Sequence, residues 1–202
     1  MARYIGPRQR LSRREGFDLL LKSGARAFDS KCKSAARPGQ SQRRQGHRPS
    51  SYCAQFRGKQ RIKRYYGVLE RQFAAYVRRA AKVPGHAGCR LLQALESRLD
   101  NVVYRMGFAT TRPSARQLVS HRHVAVNAAV VRTPSYTVRA GDVVSVRGQH
   151  GMPAAHPTVR GCPYAWLHVR ADLAEGVFRR APTVAELPHG LQTERVSELY
   201  TC

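Results

Sequence analysis

Arginine recurs through this chain at spacings that suit phosphate. In "KQRIKRYYGVLERQFAAYVRRAAK", residues 59–82, Arg64, Arg71 and Arg78 stand seven apart. Seven residues are nearly two helical turns, so the three guanidinium groups fall on one stripe at intervals of about 10 Å. That reach suits successive phosphates across a groove. Further along, "RPSARQLVSHRHVAV" puts Arg112 and Arg116 one turn apart, with His121, Arg122 and His123 continuing the same edge. The start of the chain carries Arg3, Arg8, Arg10, Arg13 and Arg14, and Lys31, Lys33, Arg57, Lys59 and Arg61 extend the basic series. A guanidinium is a planar fork of donors that matches phosphate oxygens. Apart from His123, which only continues the edge, these side chains are read as RNA-binding contacts that hold the backbone without choosing a base.

Other chemistries find less support. The five cysteines, Cys32, Cys53, Cys89, Cys162 and Cys202, form no CxxC pair. Cys32, His47 and Cys53 lack the close ligand pairing of structural zinc, and His121 and His123 alternate with Arg122 as phosphate or solvent neighbours would. No Gly-rich strand-turn-helix cradles a nucleotide, and no paired carboxylates flank a cleft-like segment. The reading is therefore no metal, no cofactor and no catalytic residue.

The charge balance points the same way. Lys and Arg number 36 against 12 Asp and Glu in 202 residues, for a formal charge of +24 and a pI near 11.2. Such a balance implies a polyanionic partner. Residues 1–82 hold 22 bases and 4 acids, residues 83–150 hold 9 and 3, and residues 151–202 hold 5 of each. The anion-facing surface is thus expected in the first two-thirds. Arginines outnumber lysines 30 to 6, which favours bidentate phosphate contact but is equally what a GC-rich genome produces. No apolar run approaches the ~18 residues of a membrane span. The cysteines are expected to be reduced thiols, and the first 22 residues to be retained structure rather than a removable presequence.

These residues need elements to hold them. "LSRREGFDLLLKSG" has Ser12 followed three residues on by Glu15, a capping-box spacing, and predicts a helix over 13–22 that docks through Phe17, Leu20 and Leu21. Residues 23–58 are rich in Gly, Pro and Arg and predict an irregular basic arm that orders on RNA, although a solvated loop has the same composition. Over 59–82, Ile62, Tyr66, Leu69, Phe73, Tyr76 or Val77, and Ala80 form one apolar stripe, with Gly67 as a point of weakness. After the breaker "VPGHAG", Leu91, Leu95, Leu99, Val102 or Val103, and Met106 predict a second core helix over about 90–107. Thr111 is placed to cap the next helix, with Pro113 tolerated in its first turn. Leu118 and Val119 turn inward, and short strands follow around Asn127 and the Gly141-Asp142 turn. The near-neutral end, with Trp166, Leu167, Val169, Val177 and Phe178, suits a core edge or a protein partner.

"SRLDNVVYRMGF", "TRPSARQLVSHRHVAVNAAVV" and "YTVRAGDVVSVR" together resemble the small RNA-binding module named after ribosomal protein S-four. "MARYIGPRQRLSRREGFDLLLKSG", "DSKCK", "PGQ", "RYYGVLERQF" and "SELY" extend the likeness, in order and over nearly the full length, to the small-subunit ribosomal protein S-four family. The resemblance implies an α+β fold: a helical domain, a small RNA-binding domain of two short helices on a small twisted sheet, and a basic extended N-terminal arm. Its divisions are 1–44 for the arm, 45–91 plus about 178–202 for the helical domain, and 92–177 for the domain containing the module at about 98–147.

The family's role implies a structural constituent of the small ribosomal subunit. It binds the 5′ domain of small-subunit ribosomal RNA early, nucleates assembly of the subunit body, neighbours the fifth small-subunit protein and influences decoding accuracy. Arg44 matches a position facing incoming messenger RNA, and Arg48 is its neighbour. No homo-oligomer and no membrane are implied, and the expected place is the small subunit of cytoplasmic ribosomes, with an organelle or endosymbiont ribosome as the other setting. Three features depart from the family: Ala128 stands where glycine usually follows the turn Asn127, "GQHGMPAAHPTVRGCP" replaces a charged helix by a loop, and the cysteine cluster of zinc-bearing members is absent.

"RLD" at 98–100 resembles the catalytic aspartate motif of pseudouridine synthases. Asp100, however, lies in an apolar-striped helix, and a catalytic domain of ~100–200 residues has no room beyond the module. Asp100 is read as a helix-surface charge paired with an arginine. A free RNA chaperone would share the module but lack the long arm and matched termini, so the chain is read as a ribosomal protein and not an enzyme.

Overall fold

A computed structural model describes residues 3–22, 28–32, 37–39, 50–147, 164–170 and 174–188. Among them are seven α-helices, α1 (Arg8–Glu15), α2 (Phe28–Lys31), α3 (Ser51–Tyr65), α4 (Glu70–Ala81), α5 (Ala87–Glu96), α6 (Leu99–Arg105) and α7 (Arg112–Ser120). Five strands follow α7: β1 (Val124–Val126), β2 (Ala129–Val130), β3 (Val143–Val146), β4 (Leu167–Arg170) and β5 (Glu175–Phe178). The described residues divide into two units, one within 1–91 and one within 92–188, so the division falls inside α5.

In the first unit the helices begin and end where local chemistry dictates, at places that differ from the sequence expectation. The first helix runs over 8–15, not 13–22, because Gly16 takes a left-handed φ of 73° and its N–H closes on the Ser12 carbonyl. Ser12 therefore sits inside the helix, buried, and its hydroxyl accepts from the Leu19 N–H at 3.4 Å. The region expected to be irregular up to 58 contains the start of α3, whose N-cap Ser50 accepts from the Cys53 N–H at 3.3 Å. The predicted 59–82 helix is two helices. Gly67 has φ +63° and α4 starts again at Glu70. Ile62, Tyr66, Phe73, Tyr76, Val77 and Ala80 are buried as the stripe predicts, but Leu69, on the interruption itself as N-cap of α4, is 41% exposed.

The second unit is built on an antiparallel sheet in the order β2-β1-β3-β5-β4. The expected 90–107 helix breaks at Ser97–Arg98, where Leu99 N–H donates to the Tyr136 carbonyl at 2.8 Å and Val138 N–H to the Ser97 carbonyl at 2.8 Å. The α6–α7 pair packs with the sheet around Leu99, Val102, Val103, Met106, Val119, Val124 and Val144, with Trp166, Leu167 and Phe178 in the same core. Thr111 caps α7, accepting from Ser114 N–H at 3.2 Å, with Pro113 in the first turn. Residues 178–188 stay with this unit instead of returning to the helical one. Phe178 exchanges backbone hydrogen bonds with Gly141 and Asp142, and Gln93 Nε2 donates to the Pro182 carbonyl at 2.9 Å.

Candidate nucleic-acid interface

The arginines of the first unit divide into those that hold the unit together and those that face outward. On α3, Arg57, Arg61 and Arg64 share one face by their spacing of four and three residues. All three engage the chain around α1. Arg57 lies 3.6 Å from the buried Glu15 carboxylate, Arg64 donates to the same carboxylate, and Arg61 donates to the Glu15 carbonyl at 3.2 Å while its guanidinium covers the Phe17 ring at 4.7 Å. Glu15, expected as a cap, is instead the anchor of the basic segment. The seven-residue spacing groups Arg64 with Arg71 and Arg78; the break at Gly67 separates them. The signal that would have found the anchor is a scarce acid in a basic arm, with a 57-61-64 arginine stripe to receive it.

On the other side of α3, Lys59 and Lys63 reach Glu70 at 3.0 Å each. Glu70 lies in the first turn of α4, where a carboxylate also offsets the helix dipole. Lys31 pairs with Asp18 at 2.6 Å. Of the arginines singled out from the sequence, Arg3, Arg10, Arg14, Arg71 and Arg78 are exposed and Arg8 and Arg13 half-buried, and Arg37, Arg79 and Arg90 are exposed as well. Arg10 and Arg14 are four apart on α1, and Arg71 and Arg78 seven apart on α4, so each pair shares a helix face. Lys33, Arg44 and Arg48 lie outside the described residues, as do His47 and the 148–163 segment.

In the second unit the helix-edge residues also part ways. Arg112 is 4% exposed, donates from Nε to Asn101 Oδ1 at 3.1 Å and stacks its guanidinium on the Tyr104 ring at 4.5 Å. It is a core residue of the module rather than an outer contact, because α7 presents its first turn to α6. Arg116 lies 3.7 Å from Asp100 with little side-chain exposure. His121 and Arg122 are exposed at the helix exit, and the His121 and His123 rings are 6.3 Å apart.

The helix pattern predicts Asp100 on the surface. It is buried, held by Arg98 through Nε at 3.1 Å and Nη2 at 2.8 Å. A carboxylate in a two-point guanidinium clamp is a structural ion pair, not a poised nucleophile. Arg105 grips the buried Glu96 in the same way, at 3.0 and 2.6 Å, and donates to the Tyr164 hydroxyl at 2.6 Å.

The sheet end adds cations beyond those the sequence pattern singles out. Asn127 Nδ2 donates to Asp142 Oδ1 at 2.9 Å and its Oδ1 accepts from the Val143 N–H at 2.9 Å, tying the β1–β2 turn to the Gly141-Asp142 turn. Arg147 donates to the Ala128 carbonyl at 2.7 Å across that tie, and Arg132 and Arg139 are exposed nearby in sequence. Each directly follows a valine, Val131, Val138 or Val146, and that is the signal the sequence offers. Asn127 and Ala128 both have positive φ, 49° and 66°, so the turn does require the backbone that glycine would take most easily.

Among the described residues no group of three or more His, Cys, Asp or Glu is arranged to hold a metal, and Cys32, Cys53 and Cys89 are free thiols. No helix among them is long and apolar enough to cross a membrane.

Two helices on a small antiparallel sheet, preceded by a basic helical unit, define an RNA-binding protein of the S4-module class. The family model for the ribosomal protein S4/S9 N-terminal domain matches residues 3–96, and that for the S4 domain matches residues 97–144, meeting at the break between α5 and α6. The chain is 50% identical over 207 residues to the small ribosomal subunit protein uS4 of Xylella fastidiosa (strain M23), 50% over 206 to that of Coxiella burnetii (strain RSA 493 / Nine Mile phase I), and 52% over 208 to that of Chromobacterium violaceum, covering all of both chains each time. The chain belongs to the small ribosomal subunit protein uS4 family, whose members are structural rather than enzymatic.

Proposed function

We propose that this chain is a primary ribosomal-RNA-binding protein of the small subunit, which recognises the 5′ domain of its RNA and nucleates assembly of the subunit body. The observation that carries this reading is the separation of roles among the bases. Glu15, Glu70 and Asp100 hold an inner set of cations, while Arg3, Arg10, Arg14, Arg71, Arg78, His121 and Arg122 remain outward. Fixed outward cations position a structured RNA by its phosphates, and the inner set keeps their spacing. Arg8 and Arg13 join the outer set at its edge. Lys31, Arg57, Lys59, Arg61, Arg64, Arg112 and Arg116 support the interface from behind, and Lys33 belongs to the same arm.

The arm (1–44) lies along RNA, the helical part (45–91 with the C-terminal segment) and the module (about 98–147) take separate RNA elements, and one copy acts alone. Arg44 and Arg48 face messenger RNA where it enters, and contact with the fifth small-subunit protein links the chain to decoding accuracy. The site of action is the small subunit of cytoplasmic ribosomes.

A salt-resolved titration tests the reading, using the 5′ domain of the cognate small-subunit RNA beside an equally long, structured, unrelated RNA. The expected result is a preference of about a thousandfold for the cognate RNA at physiological salt, by analogy with site-specific DNA binders. Equal binding that collapses in salt for both RNAs would mean that only the +24 charge is being read.

A further inference from the structure

The first turns of α3 carry a stacked aromatic pair, Phe56 partly buried and Tyr52 exposed. Tyr52 is 64% exposed, and its ring stacks on Phe56 one turn along, with centroids 6.2 Å apart and planes 21° from parallel. Single exposed aromatics are ordinary; this one is framed by charge. The Arg57 guanidinium lies 5.5 Å and the Lys59 ammonium 5.4 Å from the Phe56 ring centroid. Both cations are fixed by their own acids, Arg57 by Glu15 at 3.6 Å and Lys59 by Glu70 at 3.0 Å. The Phe56 ring thus lies beside two cations that pair with acids elsewhere in the unit, and the outer Tyr52 ring is left toward solvent.

We propose that Tyr52 is a stacking platform for one unpaired RNA base, with Phe56 backing it and the acid-paired Arg57 and Lys59 holding Phe56 in place from behind. The inference rests on the ribosomal-RNA reading above and names a contact that reading lacks, one made through a base face instead of a phosphate. The charge favours RNA over a protein as the occupant: residues 1–82 carry 22 bases and 4 acids. An aromatic face accepts any base, because every base has a π-face. The platform therefore adds affinity at an unpaired nucleotide without reading its identity.

The test uses the full chain and the 5′-domain RNA, comparing wild type with Tyr52→Leu and Tyr52→Phe at several salt concentrations. Thermal melts first check that the variants fold, as expected for an exposed position. Tyr52→Leu is expected to weaken binding by about tenfold, within the range for one stacked base, with an unchanged salt slope. Tyr52→Phe is expected to stay within about twofold of wild type. In Tyr52→Trp, indole fluorescence is expected to be quenched on binding, above a constant background from the buried Trp166.

A Tyr52→Leu protein that binds like wild type, while wild type still selects the cognate RNA, overturns the platform and leaves the ribosomal reading standing. A Tyr52→Phe loss equal to that of Tyr52→Leu would assign the contact to the hydroxyl, and a reduced salt slope would assign it to phosphate; either overturns stacking. Failure of wild type to select the cognate RNA removes both readings.

Discussion

Replacing Glu15 with glutamine probes how the basic N-terminal segment is anchored. The carboxylate side chain is 1% exposed, with Arg57 at 3.6 Å and Arg64 in direct contact. At an effective dielectric of about 20, unit charges near 4 Å interact by about 4 kcal/mol. Burial of the carboxylate offsets part of this. The Arg57 and Arg64 side chains keep 33% and 21% exposure, so water recovers them once the acid is gone. Breaking a fully buried pair costs about 3–5 kcal/mol, and partial exposure lowers the expectation to about 2 kcal/mol.

The loss should be local, because both cations lie on α3 in the same unit, while Arg61 still holds the Glu15 carbonyl and the Phe17 ring. Amide hydrogen exchange over 8–21 is therefore expected to accelerate by about thirtyfold, with little change in the second unit. Adding Arg64→Met to Glu15→Gln should cost less than the sum of the two single changes, since a cation facing no acid is what the first change leaves behind. Exchange within about threefold of wild type over 8–21 would refute the anchoring argument.

Other outcomes follow from single positions. Ala128, at φ 66°, occupies backbone that a side chain resists, so Ala128→Gly is expected to raise stability by about 0.5–1 kcal/mol in denaturant unfolding. Gly176 admits no methyl group: a Cβ there would lie 2.7 Å from Met106 Sδ and 3.2 Å from the His168 carbonyl, and Gly176→Ala should cost about 1–3 kcal/mol. Glu186 is held down to a pKa of about 2, first by the hydrogen bonds from Arg180 and then by the Thr183 N–H. Because its folded pKa is depressed, its contribution to the 180–187 turn is fully present above about 4.5 and is lost as pH falls through about 2. A carboxyl-carbon NMR titration should show a midpoint near 2, moving toward 4.5 in Arg180→Ala.

The sequence by itself determined much of the plan. The apolar stripes at 62–80 and 91–106 named the buried faces of the helices from α3 to α6, because three- and four-residue spacing already says which side chains share a face. The Thr111 cap and the Asn127-Ala128 turn were legible for a similar reason, since a side chain capping its own backbone and a two-residue turn are local events. The excess of arginine announced a phosphate partner, as net charge needs no geometry.

Only the tertiary structure divided those arginines by role. Arg64 looks like Arg71 in sequence, yet one meets Glu15, forty-nine positions away, and the other meets solvent. Arg112 and Arg122 belong to one basic edge in sequence, yet one lies inside the α6–α7 contact and the other beyond it. The same holds for Asp100, whose burial between Arg98 and Arg116 depends on how α6 and α7 meet. Periodicity fixes the face of an element on which a charge stands. Whether that face meets a carboxylate, an aromatic ring or water depends on which distant segment the fold brings against it, and that information is not local in the chain.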